Sequence, residues 1–252
     1  MIGNAMTDSS VIRFPRVIGH RGAAGHAPEN TLAGFRKAAD LGATWVEFDV
    51  ALTADDVPVL LHDETLERTT DGSGKLAKKT FQEISGLDAG AWYGNAFAGE
   101  RIPRLDTAIA MLDQLGLCAN VEIKPTKGRA RITGRIVGQA IAEKWPKSLR
   151  APVFSSFTTD ALAAAREAAP MIPRGLLMHR MRRDWQDQAA ALDCLSVHCN
   201  HRILNAERAR RIRDAGYHLL AYTVNDAKRA LQLTDWGVES VFSDFPDRIL
   251  AI

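Results

Sequence analysis

Two carboxylates lie two residues apart in an apolar stretch at residues 44–50, Thr-Trp-Val-Glu-Phe-Asp-Val. The pattern predicts a β-strand, in which alternate side chains share a face, so Glu47 and Asp49 would lie side by side with Phe48 opposite. At a rise of about 3.3 Å per residue, their Cβ atoms would be roughly 7 Å apart. Two buried anions this close need a cation, and oxygen ligands suit Mg²⁺, Ca²⁺ or Mn²⁺ better than zinc. A strand end that reaches solvent would also explain the pair.

Further polar residues stand where apolar runs end. His20 and His62 each close a short apolar run, and Glu122 and Lys124 close another. Glu122 and Lys124 are again two residues apart, so they share a face; the carboxylate would add a third oxygen ligand, and the ammonium would neutralise a neighbouring anion. In barrels of alternating strands and helices, active sites form where the strands end. The positions therefore predict one rim on which a divalent cation, its carboxylates and two histidines meet.

Alternating strand and helix patterns extend over most of the chain. Predicted strands cover residues 17–19, 44–50, 118–123, 152–155, 174–178, 194–198, 218–222 and 238–242, with helical patterns between them. Eight such units predict a closed (β/α)8 barrel, the α/β TIM barrel, as a single domain over residues 1–252. Residues 63–104 break the alternation with six glycines and weak periodicity. They predict a small inserted subdomain after the second barrel strand, with Trp92, Tyr93 and Phe97 as its buried side chains.

Composition restricts the class of protein. The chain is 46% hydrophobic and 25% charged with a net charge of +2, which is typical of a soluble globular protein and predicts no nucleic-acid partner. Arginine clusters occur at residues 180–183 and 208–213, and the second is interpreted as the solvated face of a helix. The three cysteines, Cys118, Cys194 and Cys199, form no CxxC pair and are expected to be reduced. No signal peptide or membrane span is evident, so a cytoplasmic protein without a membrane partner is predicted, of unknown oligomeric state.

Other polar residues near strand ends have two interpretations. His198, Asn200 and His201 close a predicted strand, where they could face a substrate or have a structural role. Ser155 ends another strand, but the chain lacks the GxSxG elbow of a serine nucleophile. No nucleophilic serine is therefore predicted.

Seven short motifs occur along the chain, namely His20-Arg21-Gly22, Pro28-Glu29-Asn30-Thr31, Glu47-Phe48-Asp49-Val50, Leu61-His62-Asp63, Arg68-Thr69-Thr70, Glu122-Ile123-Lys124 and Thr223-Val224-Asn225. In this order and at this spacing they resemble the glycerophosphodiester phosphodiesterase family, most closely its cytoplasmic bacterial members. The resemblance runs from about residue 17 to residue 248, nearly the whole chain. Each motif alone is weak, but the set is specific.

The resemblance implies catalytic and metal-binding roles for five residues. His20 and His62 match the catalytic acid and base of the family. Glu47, Asp49 and Glu122 match the carboxylates that hold one Mg²⁺ or Ca²⁺. Histidine suits the first task because it titrates near neutral pH, and a divalent cation suits the second because it offsets charge on the phosphate oxygens.

The same resemblance implies contacts with the substrate. Arg21 and Lys124 match residues beside the phosphate, where a planar guanidinium can bind two oxygens and an ammonium acts as a point charge. Tyr222 matches a position of the glycerol pocket that is more often tryptophan, so this chain departs from the family there. Glu29 precedes the first helix and is either a partner of Arg21 at the substrate or part of the helix start.

The predicted activity is metal-dependent hydrolysis of glycerophosphodiesters, such as deacylated phospholipid head groups, to sn-glycerol 3-phosphate and an alcohol. One alternative is another phosphodiesterase on the same scaffold, acting on a lysophospholipid or a phosphoinositide. A second alternative is a phosphate-ester binding protein without catalysis. The sequence leaves open the preferred alcohol, the choice between Mg²⁺ and Ca²⁺, the assignment of acid and base, and whether water or a substrate hydroxyl attacks first.

Overall fold

The computed structural model of the chain describes residues 12–252. The strands in this part are β1 (Val17–Gly19), β2 (Trp45–Leu52), β3 (Pro58–Leu60), β4 (Cys118–Ile123), β5 (Val153–Ser156), β6 (Arg174–Met178), β7 (Ser196–Asn200), β8 (His218–Tyr222) and β9 (Ser240–Ser243). Eight of them are parallel and form a closed barrel in the order β1-β2-β4-β5-β6-β7-β8-β9, with β9 paired back to β1. β3 extends β2 as an antiparallel neighbour. The predicted TIM barrel is confirmed.

Helices follow the barrel strands and surround them. They are α1 (Leu32–Asp40), α2 (Phe81–Ile84), α3 (Leu105–Leu115), α4 (Ala130–Lys144), α5 (Thr159–Ala168), α6 (Trp185–Ala191), α7 (Ala206–Asp214), α8 (Ala227–Asp235) and α9 (Pro246–Leu250). α1 begins after Thr31, whose side chain accepts a hydrogen bond from the amide of Gly34 and so satisfies one free N–H of the first turn. Within residues 12–252, no helix combines the length and the hydropathy that a membrane crossing requires.

The alternation along β2 separates chemistry from packing. Phe48 points outward and packs against Phe35 of α1, with 5.4 Å between the ring centroids. Trp45 points inward and joins an apolar cluster with Ile18 and Leu220 in the lower part of the barrel. Because side chains alternate, Glu47 and Asp49 then lie on the inner face above this apolar layer. The barrel interior is therefore apolar in its lower part and acidic at its mouth.

Two strands begin two residues later than predicted. β7 begins at Ser196 and β9 at Ser240, each two residues after the predicted start. The amide of Cys194 donates to the carbonyl of Ala189 at 2.8 Å, and the amide of Val238 donates to that of Leu233 at 2.9 Å. These apolar residues close the ends of α6 and α8 instead of pairing in the sheet. β7 also continues to Asn200, two residues beyond its predicted end, so His198 lies in the middle of β7 and not at its end.

The segment at residues 63–104 has a small buried cluster, but it is not the predicted one. Leu66, Leu76 and Ile84 pack with residues of β2 and β3 and are buried. Trp92 is 41% exposed, and it contacts Tyr93 with 5.6 Å between ring centroids. The prediction of a buried aromatic side chain was wrong for Trp92, whereas Tyr93 and Phe97 are half-buried, and aliphatic side chains fill the space against the sheet. The bounds of a separate subdomain stay a prediction.

Candidate active site

Three carboxylates meet at the mouth of the barrel. Glu47 and Asp49 come from β2 and Glu122 from β4, and the parallel register sets Asp49 directly opposite Glu122. One oxygen from each carboxylate lies within 4.8 Å of the others. Oε1 of Glu47 is buried and has no hydrogen-bond partner within the described chain, and the buried Oε1 of Glu122 has Nζ of Lys124 3.4 Å away. The predicted convergence of these three residues is present in the structure, and we call them the acidic cluster.

The electrostatics of the acidic cluster suit a bound divalent cation. Burial, followed by the charges of Asp49 and Glu122, raises the pKa of Glu47 well above its ordinary value. Burial and the charge of Asp49 raise the pKa of Glu122 to about 7. For Asp49, burial alone would raise the pKa, but Arg21, His62, Lys124 and a hydrogen bond from Asn30 together lower it. Three buried oxygen donors whose negative charges repel one another fit a hard divalent cation.

Two cationic side chains flank the acidic cluster. Nε of Arg21 lies 3.3 Å from Oδ2 of Asp49, and Nζ of Lys124 lies 3.4 Å from Oε1 of Glu122. Arg21 has a positive φ of 51°, an uncommon conformation for a residue with a Cβ atom, and its amide donates to Oε2 of Glu47 at 2.9 Å. The next residue, Gly22, has φ 90°, and a Cβ there would lie 2.7 Å from the backbone of Gly34. The His-Arg-Gly turn thus bends the chain so that Arg21 faces the cluster.

His20 is held by a residue from the far end of the chain. Its Nδ1 lies 2.6 Å from Oδ1 of Asp244, and Nδ2 of Asn225 donates to the other oxygen of Asp244 at 2.6 Å. Its Nε2 lies 3.9 Å from Oε2 of Glu47. Burial would raise the pKa of Asp244, but the hydrogen bond and charge of His20 outweigh it and lower that pKa. Nε2 of His20 therefore faces the acidic cluster.

His62 is held by its own neighbour. Its Nδ1 lies 2.6 Å from Oδ1 of Asp63, and Nε of Arg68 donates to Oδ2 of the same carboxylate at 2.6 Å. Arg68 also donates twice to Glu29, at 2.7 and 2.8 Å, and Glu29 accepts from Arg21 at 2.6 Å. The hydrogen bond from Arg68 is the main cause that lowers the pKa of Asp63, whereas burial lowers the pKa of His62. Asp63, Arg68, Glu29 and Arg21 form one chain of ion pairs.

This chain of ion pairs bears on the two interpretations of Glu29. The helix α1 begins at Leu32 and is capped by Thr31, so Glu29 lies before the helix and does not cap it. Its carboxylate is engaged by Arg21 and Arg68. Glu29 is therefore a partner of Arg21, and a direct contact with a substrate stays a prediction.

A cavity of about 190 Å³ adjoins the acidic cluster and both histidines. Its far wall is largely apolar and consists of Phe157, Leu177, Tyr222 and Phe242. The hydroxyl of Tyr222 is buried and has no partner in the described chain, and burial raises its pKa. The cavity thus combines charged groups on the β1, β2 and β4 side with an apolar wall opposite.

The floor of this cavity carries an amide. Asn120 of β4 is 1% exposed, and its Nδ2 donates to Oγ of Ser155 at 2.8 Å. Its Oδ1 is buried without a partner in the part of the chain that the structure describes. Together with the Tyr222 hydroxyl, it leaves two polar atoms of the cavity free to bind a hydroxyl-rich ligand, since buried polar groups are normally satisfied.

Sequence reasoning missed the residues that orient the histidines. Asp63 directly follows His62 in the Leu61-His62-Asp63 motif, so its adjacency was a usable signal. Asp244 directly follows the last barrel strand, the same kind of position that the other polar residues of the site occupy. His198 is buried inside the barrel, with Nε2 2.8 Å from Oγ of Ser196, so its structural interpretation fits and a rim position does not.

One mouth of the parallel barrel holds the acidic cluster, two histidines bound by carboxylates, and cationic side chains suited to a phosphate. This combination is typical of a barrel enzyme of the phosphodiesterase class. A family model described as the glycerophosphoryl diester phosphodiesterase family matches residues 20–248. The chain belongs to this family, and the predicted enzyme class is confirmed.

Individual relatives are similar in sequence to this chain over nearly their full length. The Bacillus subtilis protein YhdW is 35% identical, over 93% of this chain and 96% of the relative. A glycerophosphodiester phosphodiesterase of Caldanaerobacter subterraneus is 32% identical, with the same two coverages of 93% and 96%. The structure of an Oleispira antarctica phosphodiesterase, in complex with the product sn-glycerol-3-phosphate, is 40% identical with a TM-score of 0.91, covering 94% of this chain and 96% of that one.

Proposed function

We propose that this protein hydrolyses glycerophosphodiesters to sn-glycerol 3-phosphate and an alcohol, with one divalent cation, Mg²⁺ or Ca²⁺, held by Glu47, Asp49 and Glu122. The observation that carries the proposal is the acidic cluster, whose carboxylates, with Oε1 of Glu47 buried and without a hydrogen-bond partner in the described chain, lie beside two histidines around one cavity. The product bound in the Oleispira antarctica phosphodiesterase supports the same substrate class. When bound, the cation would offset negative charge on the phosphate oxygens.

Arg21 and Lys124 would bind the phosphate. Both side chains already lie within 4 Å of carboxylates of the acidic cluster, so they stand beside the position of the cation. The phosphodiester is an anion that repels a nucleophile, and charge builds on its non-bridging oxygens in the transition state. A guanidinium fork and an ammonium on one side of the phosphate reduce this charge.

His20 and His62 would transfer the protons. Each has Nδ1 bound by an aspartate, which favours the tautomer with the proton on Nδ1 and leaves Nε2 as the exchanging atom. One imidazole takes the proton of the attacking hydroxyl, and the other gives a proton to the leaving alkoxide.

Tyr222 and Asn120 would bind the glycerol part. The buried hydroxyl of Tyr222 and Oδ1 of Asn120 have no partner in the described chain, and both line the cavity next to the acidic cluster. A glycerol hydroxyl can donate to the amide oxygen and exchange a hydrogen bond with the phenol. The apolar wall suits the carbon skeleton.

The direct test is release of sn-glycerol 3-phosphate from glycerophosphocholine by purified protein supplied with Mg²⁺ or Ca²⁺. We expect turnover that EDTA abolishes and that the added cation restores. Glu122→Gln should raise the cation concentration needed for half-maximal turnover, because one of the three carboxylates then loses its charge. Absence of turnover on several glycerophosphodiesters with Mg²⁺, Ca²⁺ and Mn²⁺ would overturn the proposal.

The same assay separates the alternative phosphodiesterases. A lysophospholipid or phosphoinositide substrate should be cleaved more slowly than glycerophosphocholine, because the cavity of about 190 Å³ offers no long apolar slot for an acyl chain.

A cytoplasmic location stays a prediction, and fractionation of the producing cells would test it.

A further inference from the structure

Four arginines lie on two adjacent loops at the mouth of the barrel. Arg180, Arg182 and Arg183 follow β6, and Arg202 follows β7; we call these four the basic rim. All four side chains are exposed. None forms an ion pair with a carboxylate of residues 12–252, and Arg182 donates only to Oε1 of Gln188, at 3.0 Å. The basic rim is therefore a positive surface whose arginines form no ion pair within the described chain.

The basic rim stands across the mouth from the acidic cluster. Leu177 lines the cavity and is the next-to-last residue of β6, so the chain leaves the barrel at the mouth one residue later. Asn200, the last residue of β7, contacts Nδ1 of His179 at 3.3 Å and ties the two loops together. In the closed strand order, β6 and β7 lie opposite β1 and β2. A substituent that leaves the cavity past Leu177 meets the basic rim.

The acids beside these two loops are already engaged. Oδ2 of Asp184 accepts from Nε2 of Gln188 at 2.6 Å, and Oδ1 of Asp226 accepts from the amide of Arg229 at 2.7 Å as the cap of α8. Lys127, on the loop after β4, adds one more exposed cation at the mouth. Neither Asp184 nor Asp226 forms an ion pair with an arginine of the basic rim in residues 12–252.

The opposite side of the mouth differs. Arg21 and Arg68 are bound by Glu29 and Asp63, at 2.6 to 2.7 Å. Both guanidinium groups are therefore already paired with carboxylates of the chain, and the proposed function assigns Arg21 to the phosphate at the acidic cluster. An anionic head group can find free guanidinium groups at the basic rim but not at this chain of ion pairs.

We propose that the basic rim is a head-group subsite that selects glycerophosphodiesters whose alcohol part carries a second anionic group, a phosphate ester or a carboxylate. This inference rests on the proposed function. The cavity takes the glycerol and the phosphate at the acidic cluster, and the leaving alcohol extends across the mouth to the guanidinium groups. Arginine suits this role because its planar fork matches two oxygens of a phosphate or carboxylate.

The experiment compares three diesters that differ in the charge of the alcohol: glycerophosphocholine, glycerophosphoglycerol, and bis(glycerophospho)glycerol, whose alcohol carries a second phosphodiester. We would measure kcat/KM for each at low ionic strength with one cation. The test variant is Arg180→Gln with Arg183→Gln. The matched control is Arg210→Gln with Arg211→Gln, which removes the same charge from the exposed face of α7.

We expect the wild type to prefer the diester with the second phosphate over the choline diester. The test variant should lower this ratio about fivefold, because each exposed ion pair contributes modestly, and added salt should lower it in the wild type as well. The control should keep the wild-type ratio. Circular dichroism and thermal unfolding of both variants exclude misfolding as the cause.

An unchanged ratio in the test variant would overturn the inference. If kcat/KM fell equally for all three diesters, the basic rim would only attract anions in general. If the variant lost binding to phosphatidylglycerol vesicles at an unchanged ratio, the basic rim would serve a membrane surface instead. If the wild type cleaved none of the three, the proposed function would fail, and equilibrium binding of the same diesters to both variants would still test the subsite.

Discussion

The two histidines of the site are oriented by the same chemical device, built from different parts of the chain. His62 is held by Asp63, its immediate neighbour, and Arg68 clamps that carboxylate from the same segment. His20 is held by Asp244, 224 positions away, and Asn225 fixes the carboxylate. The first arrangement is local and is linked through Glu29 to Arg21, which we propose to bind the phosphate. The second exists only because the barrel closes, so the two sides should respond differently to substitution.

Removal of either imidazole should have the largest effect. His20→Ala and His62→Ala are each expected to lower kcat by about two to four orders of magnitude, because proton transfer is lost. The measurement is steady-state turnover of a glycerophosphodiester, with circular dichroism as a check of folding. Near-normal turnover of either variant would remove that histidine from the reaction.

The orienting carboxylates should come next and should distinguish the two sides. Asp244→Asn and Asp63→Asn are each expected to lower kcat/KM by about 10- to 100-fold, the usual cost of an orienting partner. Asp244→Asn should act on kcat, because the Asp244 side chain contacts the histidine and Asn225. Asp63→Asn should also raise KM, because it frees Arg68 and so disturbs Glu29 and Arg21. Identical changes in kcat and KM for the two variants would contradict this contrast.

The clamp on the His62 side should have a smaller effect. Arg68→Gln is expected to raise KM about fivefold with a smaller change in kcat, since its side chain is 44% exposed and its ion pairs are partly screened. Arg131→Gln is the control, because it removes an exposed arginine paired with Glu167 at 2.7 Å on the outer helices. Equal kinetics for both variants would show that the chain of ion pairs does not reach the substrate.

His198 is a buried histidine that, unlike His20 and His62, contacts a serine hydroxyl and not a carboxylate, and its pKa differs accordingly. Burial lowers its pKa from an ordinary 6.5 to about 3. Between pH values of about 6.5 and 3, His198 is therefore protonated in the unfolded chain but neutral in the folded chain. This titration does not affect the free energy of unfolding above this pH range. Within the range, it lowers the free energy of unfolding by up to about 1.4 kcal/mol for each pH unit of acidification.

His198→Gln should remove this part of the pH dependence while leaving turnover near the wild-type value. Urea unfolding at neutral pH and at two acidic pH values would compare the slopes of wild type and variant. The slope of the unfolding free energy against pH should correspond to about one proton fewer in the variant than in the wild type. Parallel slopes would mean that His198 is protonated in the folded state.

The comparison of the histidines also separates what was predictable. Asp63 lies next to His62 in the sequence, and the spacing of Glu47 and Asp49 is enough to place both carboxylates on one face of a strand. These contacts depend on neighbours in one strand or turn, and the repeat of two residues in a strand is a local property. The aromatic residues of the 63–104 segment followed no such rule, because which side chains fill it depends on the space left by β2 and β3.

The sequence by itself determined the alternation of strands and helices, the residue types at the strand ends and the local pairs, because periodicity and short-range spacing act within one element. The tertiary structure decided that Asp244 meets His20, that Asp49 stands opposite Glu122, and that the basic rim faces the acidic cluster. Those contacts join residues far apart in the chain. They arise from the pairing of β9 with β1 and of β2 with β4, which no local pattern specifies.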